Sequence, residues 1–307
     1  MMILIVFLAI ILLAVLAVLL YVFRRVYYHP LKKRKTGSGF DFSGSYAPFR
    51  AQVEELIKKL EAEPFERVEI IAFDGRRLSG RYYHHSDSAP LDILMHGYRS
   101  HSSIDFCGGF QLAREMGHNI LLVDQRACGL SEGRVICFGV KERRDCHSWI
   151  NYALCRFGED IEINLFGVSM GGAAVIMAND LGLPENVKRI VADSPFASPR
   201  AIISTVAEKE KLPEKPVWAV ARMSARLFGG FDPEESSAIE AAKSCKVPLL
   251  IICGEADRLV PAEMSRQIHE NCPGSELLSI PGADHVAGLL LEPERYKKKV
   301  WEFFGLA

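Results

Sequence analysis

The sequence has no excess of charge of either sign. Its 307 residues include 37 basic and 38 acidic side chains, which gives a net charge of −1 at pH 7. A nearly neutral chain offers no strongly basic surface to a polyanion, so we expect no nucleic-acid partner.

The sequence also lacks any cysteine pair of the kind that binds metal. None of its eight cysteines forms a Cys-x-x-Cys pair, and Cys137, Cys146 and Cys155 follow one another at nine-residue intervals. That interval turns successive side chains to opposite sides of a helix, so they could not share one ion. The cysteines therefore predict no metal site and favour buried thiols in a reducing compartment.

Charged residues are missing from the first 23 positions, which are almost entirely apolar. A helix of this length crosses a hydrocarbon core of ~30 Å. A cleaved signal peptide is the alternative, but such peptides carry a basic segment before the apolar run, and here the arginines and tyrosines follow it. We therefore predict a retained single-pass transmembrane anchor over residues 1–23. Arg24, Arg25 and the basic run at 32–35 follow it, and this bias places the rest of the chain in the cytoplasm.

The rest of the chain predicts a short connecting segment and one domain. Residues 24–46 are predicted to form a basic flank and a linker rich in Gly and Ser. Residues 47–307 have the size of a single α/β domain. Short apolar runs alternate there with segments of helical period, which predicts a mostly parallel sheet with helices on both faces. The runs at 66–73 and 77–84 predict an antiparallel hairpin at the sheet edge, and residues 197–246 predict a small helical cap inserted into the domain.

One serine between flanking glycines stands at the end of an apolar strand, in Gly167-Val-Ser-Met-Gly171. A serine on a tight strand-to-helix turn has a strained backbone that leaves no room for side chains two residues away. Ser169 is therefore the predicted nucleophile, and Gly167 and Gly171 support its turn. The backbone N–H of Met170 begins the next helix and is predicted to stabilise an oxygen that becomes negative.

A serine nucleophile needs a base to accept its proton and an acid to orient that base. Asp257 follows an apolar run over residues 247–253, and His285 follows another over 276–280. We therefore predict Asp257 as the acid and His285 as the base. Asp193 also follows a strand, and the strand pattern alone leaves it as an alternative acid.

Four segments together resemble the α/β-hydrolase superfamily, and the resemblance covers residues 65–305. They are His96-Gly-Tyr-Arg99, the Asp-x-Arg-x-x-Gly-x-Ser stretch that begins at Asp124, the glycine-flanked Ser169, and the pair of Asp257 and His285. Their chain order of nucleophile, acid and base is the order found in this superfamily. The resemblance points to its serine aminopeptidase-like and esterase-like branch, and it implies an α/β-hydrolase fold.

The same resemblance implies supporting roles. The turn of His96 and Gly97 would supply a second oxyanion donor, the backbone N–H of Tyr98, and His96 would order the loop. Asp124 and Arg126 would form a structural pair beside the active site.

The resemblance also distinguishes between the two candidates for the catalytic acid. Asp257 matches the Gly-x-x-Asp-x-x-Val-Pro pattern of the superfamily, which favours it over Asp193.

These features predict a membrane-anchored serine hydrolase that cleaves a carboxylic ester or thioester through an acyl-enzyme intermediate. Its partners would be a small-molecule or lipid-derived ester and the membrane, reached through residues 1–23, and the chemistry needs neither metal nor organic cofactor. A peptidase of the proline-iminopeptidase-like branch or an acyltransferase would use the same residues. A catalytically silent, membrane-tethered binding module is the remaining alternative. The natural substrate and the oligomeric state stay open.

Overall fold

The computed structural model describes residues 1–31 and 44–306. The predicted basic run at 32–35 and most of the predicted linker lie outside the described residues. Within these ranges the strands form one sheet and most of the helices cover its two faces.

The strands all belong to one sheet. They are β1 (Glu66–Ile71), β2 (Arg77–Tyr83), β3 (Leu91–Met95), β4 (Asn119–Val123), β5 (Ile163–Val168), β6 (Val187–Asp193), β7 (Leu249–Gly254) and β8 (Glu276–Ile280). Their order across the sheet is β1-β2-β4-β3-β5-β6-β7-β8. The pairs β1 with β2 and β2 with β4 are antiparallel, and every other neighbouring pair is parallel. The predicted hairpin at the edge of a mostly parallel sheet is confirmed.

The helices fall before, between and after these strands. They are α1 (Met2–Val26), α2 (Arg50–Ala62), α3 (Ser102–Asp105), α4 (Cys107–Glu115), α5 (Glu142–Phe157), α6 (Met170–Met177), α7 (Pro199–Lys209), α8 (Glu214–Ser224), α9 (Ala238–Ala242), α10 (Ala262–Glu270), α11 (Gly288–Leu291) and α12 (Pro293–Phe304). Helices α7, α8 and α9 lie between β6 and β7, inside the predicted insertion at 197–246.

The central strands are mostly apolar on both sides because helices cover both faces of the sheet, and the buried Asp92 of β3 is a polar exception. No residue of β3, β4 or β7 is exposed. Ile93 packs in the same core as Trp149 of α5, whereas its neighbour Leu94 packs with Phe110 of α4 on the other face. Successive residues of a strand point to opposite faces, and continuous apolar runs are typical of a covered parallel sheet.

Helix α1 has a free part and a docked part. Residues 1–18 are all exposed, whereas Leu19, Phe23 and the following Tyr27 are buried against the domain. The helix is long and apolar enough to cross a membrane by length and composition. It continues three residues beyond the predicted end, since Arg24 and Arg25 are good helix formers. The chain then pairs with the loop after β4, where Tyr28 forms a bridge with Val135.

Candidate active site

The backbone at Ser169 is strained, as the glycine spacing predicts. Ser169 joins β5 to α6 with φ 54° and ψ −118°. A Cβ atom at Gly167 would lie 2.3 Å from the carbonyl oxygen of Gly171, and one at Gly171 would lie 1.8 Å from that of Met95. Both glycines are therefore required for the close approach of β3, β5 and α6. The Ser169 N–H donates a 2.8 Å hydrogen bond to the carbonyl oxygen of Asp193 on β6, which fixes the turn to the neighbouring strand.

Three predicted side chains meet at the carboxyl edge of the sheet. The Nε2 atom of His285 lies 2.9 Å from the Oγ atom of Ser169, and its Nδ1 atom lies 2.7 Å from Oδ2 of Asp257. The other carboxylate oxygen of Asp257 accepts hydrogen bonds from the N–H groups of Leu259 and Val260, each 2.8 Å long. An Nδ1–H bond to the carboxylate leaves the Nε2 lone pair facing the serine hydroxyl. The arrangement can therefore move a proton from an alcohol to an imidazole.

Asp284 holds the loop that carries His285, a role that the sequence analysis missed. Its Oδ1 atom accepts hydrogen bonds from the N–H groups of His285 (2.8 Å) and Arg258 (3.0 Å), and the Arg258 guanidinium donates to Oδ2. Burial raises the pKa of Asp284, but the bonds from Arg258 and His285 outweigh it and lower the pKa below its usual value. Asp284 thus stays ionised and ties the base loop to the loop of Asp257. The adjacent Asp-His pair was the available sequence signal.

The turn of His96, Gly97 and Tyr98 lies directly beside the nucleophile. A Cβ atom at Gly97 would be 3.3 Å from the Cβ atom of Ser169. The Gly97 N–H donates a 2.6 Å hydrogen bond to Asp105, at the end of α3, which fixes the turn. Within the described part of the chain, the N–H groups of Tyr98 and Met170 donate to no protein acceptor, so both remain available to a ligand.

His96 is buried and orders this turn. Its Nε2 atom accepts a 3.0 Å hydrogen bond from the N–H of Gln125, so its Nδ1 atom carries the hydrogen and donates to the carbonyl oxygen of Gly97 at 2.8 Å. Both nitrogens are thereby occupied in the neutral ring. The geometry agrees with the ordering role that the resemblance implied.

Asp193 lies near the site, but its carboxylate has other partners. The hydroxyls of Ser194 and Tyr296 donate to it at 2.8 and 3.0 Å. Burial raises its pKa to about 6. The Ser194 hydroxyl in turn accepts a hydrogen bond from the N–H of Val286, next to His285. Asp193 therefore braces the backbone around the nucleophile and base, while Asp257 makes the hydrogen bond to the imidazole.

The implied pairing of Asp124 with Arg126 is wrong. The Arg126 guanidinium instead binds Asp145 of α5 through two bonds of 2.6 and 2.5 Å, and Asp74 at 3.0 Å. It points toward α5 because the buried Asp145 offers a bidentate partner there, whereas Asp124 accepts hydrogen bonds from the Ser102 hydroxyl and from the backbone N–H of Leu130. Both residues are structural, but in separate networks.

The end of α1 is bound by the loop that follows the Gly97 turn. The Tyr98 hydroxyl donates a 2.6 Å hydrogen bond to the carbonyl oxygen of Val26, and the Arg99 guanidinium donates to those of Arg25 (3.0 Å) and Tyr28 (2.9 Å). Burial raises the pKa of Tyr98 to about 12, so its hydroxyl remains a donor. We call these three hydrogen bonds the anchor clasp. No sequence pattern connects residues so far apart, and the clasp was not predicted.

Metal ligation has no candidate group among the described residues. In ranges 1–31 and 44–306, no three His, Cys, Asp or Glu side chains converge as ligands of an ion would.

The fold is that of the α/β hydrolases, and comparison with known proteins agrees. Residues 93–298 match the family model described as the alpha/beta hydrolase family. Because that match covers more than half of the chain, the protein belongs to this family and is a hydrolase.

Two relatives are similar over most of the chain and a third over part of it. The protein YqkD of Bacillus subtilis, which is itself uncharacterized, is 24% identical over 281 residues, covering 86% of this chain and 91% of YqkD. The structure of the Pyrococcus furiosus esterase Pf2001 matches 89% of this chain and 96% of its own, with 25% identity and a TM-score of 0.68. The thiohydrolase aneE of Aspergillus aculeatus is 30% identical over 126 residues, which is 40% of each chain.

Proposed function

We propose that the protein hydrolyses a carboxylic ester or thioester by acyl transfer through Ser169, His285 and Asp257. Ser169 attacks the carbonyl carbon while His285 accepts its proton and then returns that proton to the leaving group. Water, activated by the same imidazole, releases the acyl group from the serine, and Asp257 orients the ring and stabilises its charged form. The single observation that carries the proposal is the continuous pair of hydrogen bonds, 2.9 and 2.7 Å, from Ser169 through His285 to Asp257.

The negative oxygen of the tetrahedral intermediate would be stabilised by the N–H groups of Tyr98 and Met170. Gly97 lies against Ser169, which puts the first donor beside the nucleophile, and Met170 stands at the N-terminus of α6, where the helix dipole favours negative charge. Removing one such donor typically lowers kcat by ~10²–10³.

An ester or thioester is favoured over a peptide by the surroundings of the cap acids. A peptidase that recognises a free amine needs an unpaired carboxylate in its pocket. Glu214, Glu234 and Glu235 are already ion-paired to arginines. Glu208 and Glu210, at the end of α7, have no ion pair with a described residue, but both are exposed to solvent. The similarity to an esterase and to a thiohydrolase supports the same substrate class.

The decisive variant is Ser169→Ala. It should lower kcat for p-nitrophenyl acetate by about 10⁴-fold or more and abolish labelling by a fluorophosphonate probe, with an unchanged circular dichroism spectrum. The matched control is Ser88→Ala at an exposed loop position, which should keep full activity and labelling. Undiminished turnover in Ser169→Ala would remove this residue from the mechanism, and absence of probe labelling in the folded wild type would favour the silent binding module.

We further propose that α1 is a retained membrane anchor with the catalytic domain on the cytoplasmic side. Cleavage after the apolar run would remove Leu19 and Phe23, which are buried against the domain, and expose their partners to water. The exposed Arg24 and Arg25 support the cytoplasmic orientation. The protein should sediment with membranes, and the domain should resist protease added to intact spheroplasts but be cut after lysis. Cleavage in intact spheroplasts would reverse the orientation.

A further inference from the structure

One side of α8 and the turn after it is apolar and exposed. Pro216, Ala219, Met223 and Leu227 recur at intervals of three or four residues, which aligns them on a single helix face. Met223 is 52% exposed and Leu227 54% exposed, and the large side chain of Phe228 adjoins them. We call these five residues the apolar cap face. Contiguous exposed apolar surface of this kind marks an interaction site.

Helix α8 packs directly against α1. The Ser224 hydroxyl lies 2.9 Å from the carbonyl oxygen of Leu19, and the rings of Phe23 and Phe228 are 5.6 Å apart. Ser224 is fully buried at this contact, and small buried residues are what allow helices to approach closely within a membrane. The apolar cap face therefore lies beside the anchor helix and is continuous with its lipid-facing surface.

The charges of α1 set the depth of this contact. Arg24 and Arg25 are exposed and mark the level of the lipid headgroups. Leu19 precedes Arg24 by five residues, which is about 7.5 Å along a helix that rises 1.5 Å per residue. Because Ser224 contacts Leu19, the end of α8 lies on the hydrocarbon side of the two arginines.

The charged side chains of the cap are either paired or distant from the apolar end of α8, as contact with lipid would require. The Arg222 guanidinium is paired with Asp232 at 2.9 and 2.8 Å and also with Glu234, so it does not face lipid as a free charge. The exposed Glu214 stands at the opposite end of α8 from the apolar turn. Arg226 is exposed and lies 3.7 Å from Asp232, so its charge is also paired, and its long stem can stay in the apolar layer.

We propose that the apolar cap face is immersed in the same membrane leaflet as the C-terminal part of α1, so that its partner is the lipid bilayer. This inference rests on the retained anchor of the proposed function. It also narrows the substrate class. Tyr98 binds the end of α1, and the adjoining Gly97 lies against Ser169, so the nucleophile is held next to the membrane surface. An acyl ester that resides in the bilayer, with its carbonyl group at headgroup level, is the substrate that this position favours.

The depth of the cap can be measured directly in the full-length protein. Single cysteines at Leu227, at Leu8 of α1 and at Ile71 of β1 would carry a fluorescent label in phosphatidylcholine nanodiscs. Cys155, which is exposed, and Cys245 would be replaced by serine. The labels at 227 and 8 should lose fluorescence to nitroxides on lipid acyl chains, while the label at 71, on the edge strand β1, should respond only to aqueous iodide.

Each other pattern contradicts the inference in a distinguishable way. If iodide quenches the label at 227 as it does the label at 71, while the label at 8 stays in lipid, the cap lies in water and the anchor proposal stands. If the label at 8 is also in water, the anchor proposal fails and the inference fails with it. Protection of the label at 227 from both quenchers would mean that a protein, such as a second copy of this chain, covers the apolar cap face. That result would overturn the assignment of lipid as the partner.

An activity comparison provides a second readout. Met223→Glu combined with Leu227→Glu should reduce hydrolysis of a long-chain ester embedded in vesicles, because charges oppose insertion of the cap. Turnover of water-soluble p-nitrophenyl acetate should stay unchanged, as should both activities in the control Ile71→Glu. Equal turnover of the embedded ester by the double variant and the wild type would contradict the inference. Absence of p-nitrophenyl acetate hydrolysis by the wild type itself would instead contradict the esterase proposal.

Discussion

Two buried carboxylates beside the nucleophile differ in their hydrogen-bond donors. Asp257 faces the Nδ1 atom of His285 and two backbone N–H groups. Among the described residues, the donors to the Asp193 carboxylate are the hydroxyls of Ser194 and Tyr296. An imidazole that becomes charged needs an ionised partner, and N–H donors stabilise the ionised form. This difference makes Asp257 the predicted acid.

Substitution of each carboxylate by its amide separates their roles. Asp257→Asn should lower kcat for a p-nitrophenyl ester by ~10⁴, because an amide cannot hold the required imidazole tautomer. Asparagine at position 193 can still accept one of the two hydrogen bonds. Asp193→Asn should therefore lower the free energy of unfolding by about 1 kcal/mol and lower kcat by less than about tenfold. Steady-state kinetics of both variants checks the expectation. A larger loss in Asp193→Asn than in Asp257→Asn would exchange the two assignments.

The raised pKa of Asp193 predicts a pH-dependent stability difference. Burial raises its pKa to about 6 in the folded protein, whereas an unfolded aspartate titrates near ~4. Between these values the folded state binds more protons, so this carboxyl contributes less stability as the pH rises through that window. The melting temperature of wild type minus that of Asp193→Asn should therefore decrease from pH 4 to pH 6 and then level off. A flat difference in thermal scans would show that folding does not raise the pKa of Asp193.

At the scale of elements, the strands and the nucleophile turn were predictable because each depends on local sequence. The apolar run over residues 247–253 predicted β7, and the glycine spacing predicted the strained backbone at Ser169. The prediction that Arg126 pairs with Asp124 was wrong because the motif alone does not show that Asp145, on α5, offers a buried bidentate site. The support of Gly97 by Asp105 was missed for the same reason, since it depends on how α3 packs.

The anchor clasp predicts a link between α1 and the oxyanion turn. Tyr98→Phe removes the hydrogen bond to Val26 but keeps the backbone N–H, so the donor loses support rather than disappearing. We expect kcat to fall by about twofold to tenfold with KM nearly unchanged, well below the ~10²–10³ cost of losing a donor outright. Arg99→Lys, which cannot bridge the carbonyl groups of Arg25 and Tyr28 in the same way, should act in the same direction.

The control for this prediction is Tyr82→Phe, which removes a hydroxyl on β2, next to the edge strand of the sheet, where its hydrogen bond among the described residues goes to His84. That variant should retain wild-type kcat. If Tyr98→Phe lowers the melting temperature but leaves kcat intact, the clasp stabilises the fold without positioning the donor.

At the scale of the whole molecule, the sequence predicted a span and a domain as separate parts, and the structure joins them. Tyr27 is completely buried, and its ring packs edge-on against Phe138 and Phe231. An apolar run predicts membrane insertion, but its contacts with a distant part of the chain have no local signature. The transition from exposed to buried residues within α1 was therefore not predictable.

Two truncations test this dependence. Removal of residues 1–18, which are all exposed, should leave the melting temperature and activity toward p-nitrophenyl acetate close to wild type in detergent. Removal of residues 1–29 also deletes Phe23 and Tyr27, each worth ~1.5–3 kcal/mol of burial, and should lower the melting temperature by about 10 °C. Differential scanning fluorimetry compares the two. Equal melting temperatures would show that the docked part adds nothing to the domain.

The hydrogen bonds of Ser224, Tyr98 and Arg99 to α1 also fix the orientation of the domain relative to this helix. A domain joined to a membrane helix by a flexible linker can bind substrates at a range of distances from the membrane. If α1 spans a membrane as proposed, a domain bound to its last turns cannot rotate independently of it, so Ser169 would keep one height above the membrane and one orientation. Its reach is then set by lateral diffusion in the plane of the membrane, and molecules must come to that plane to be cleaved.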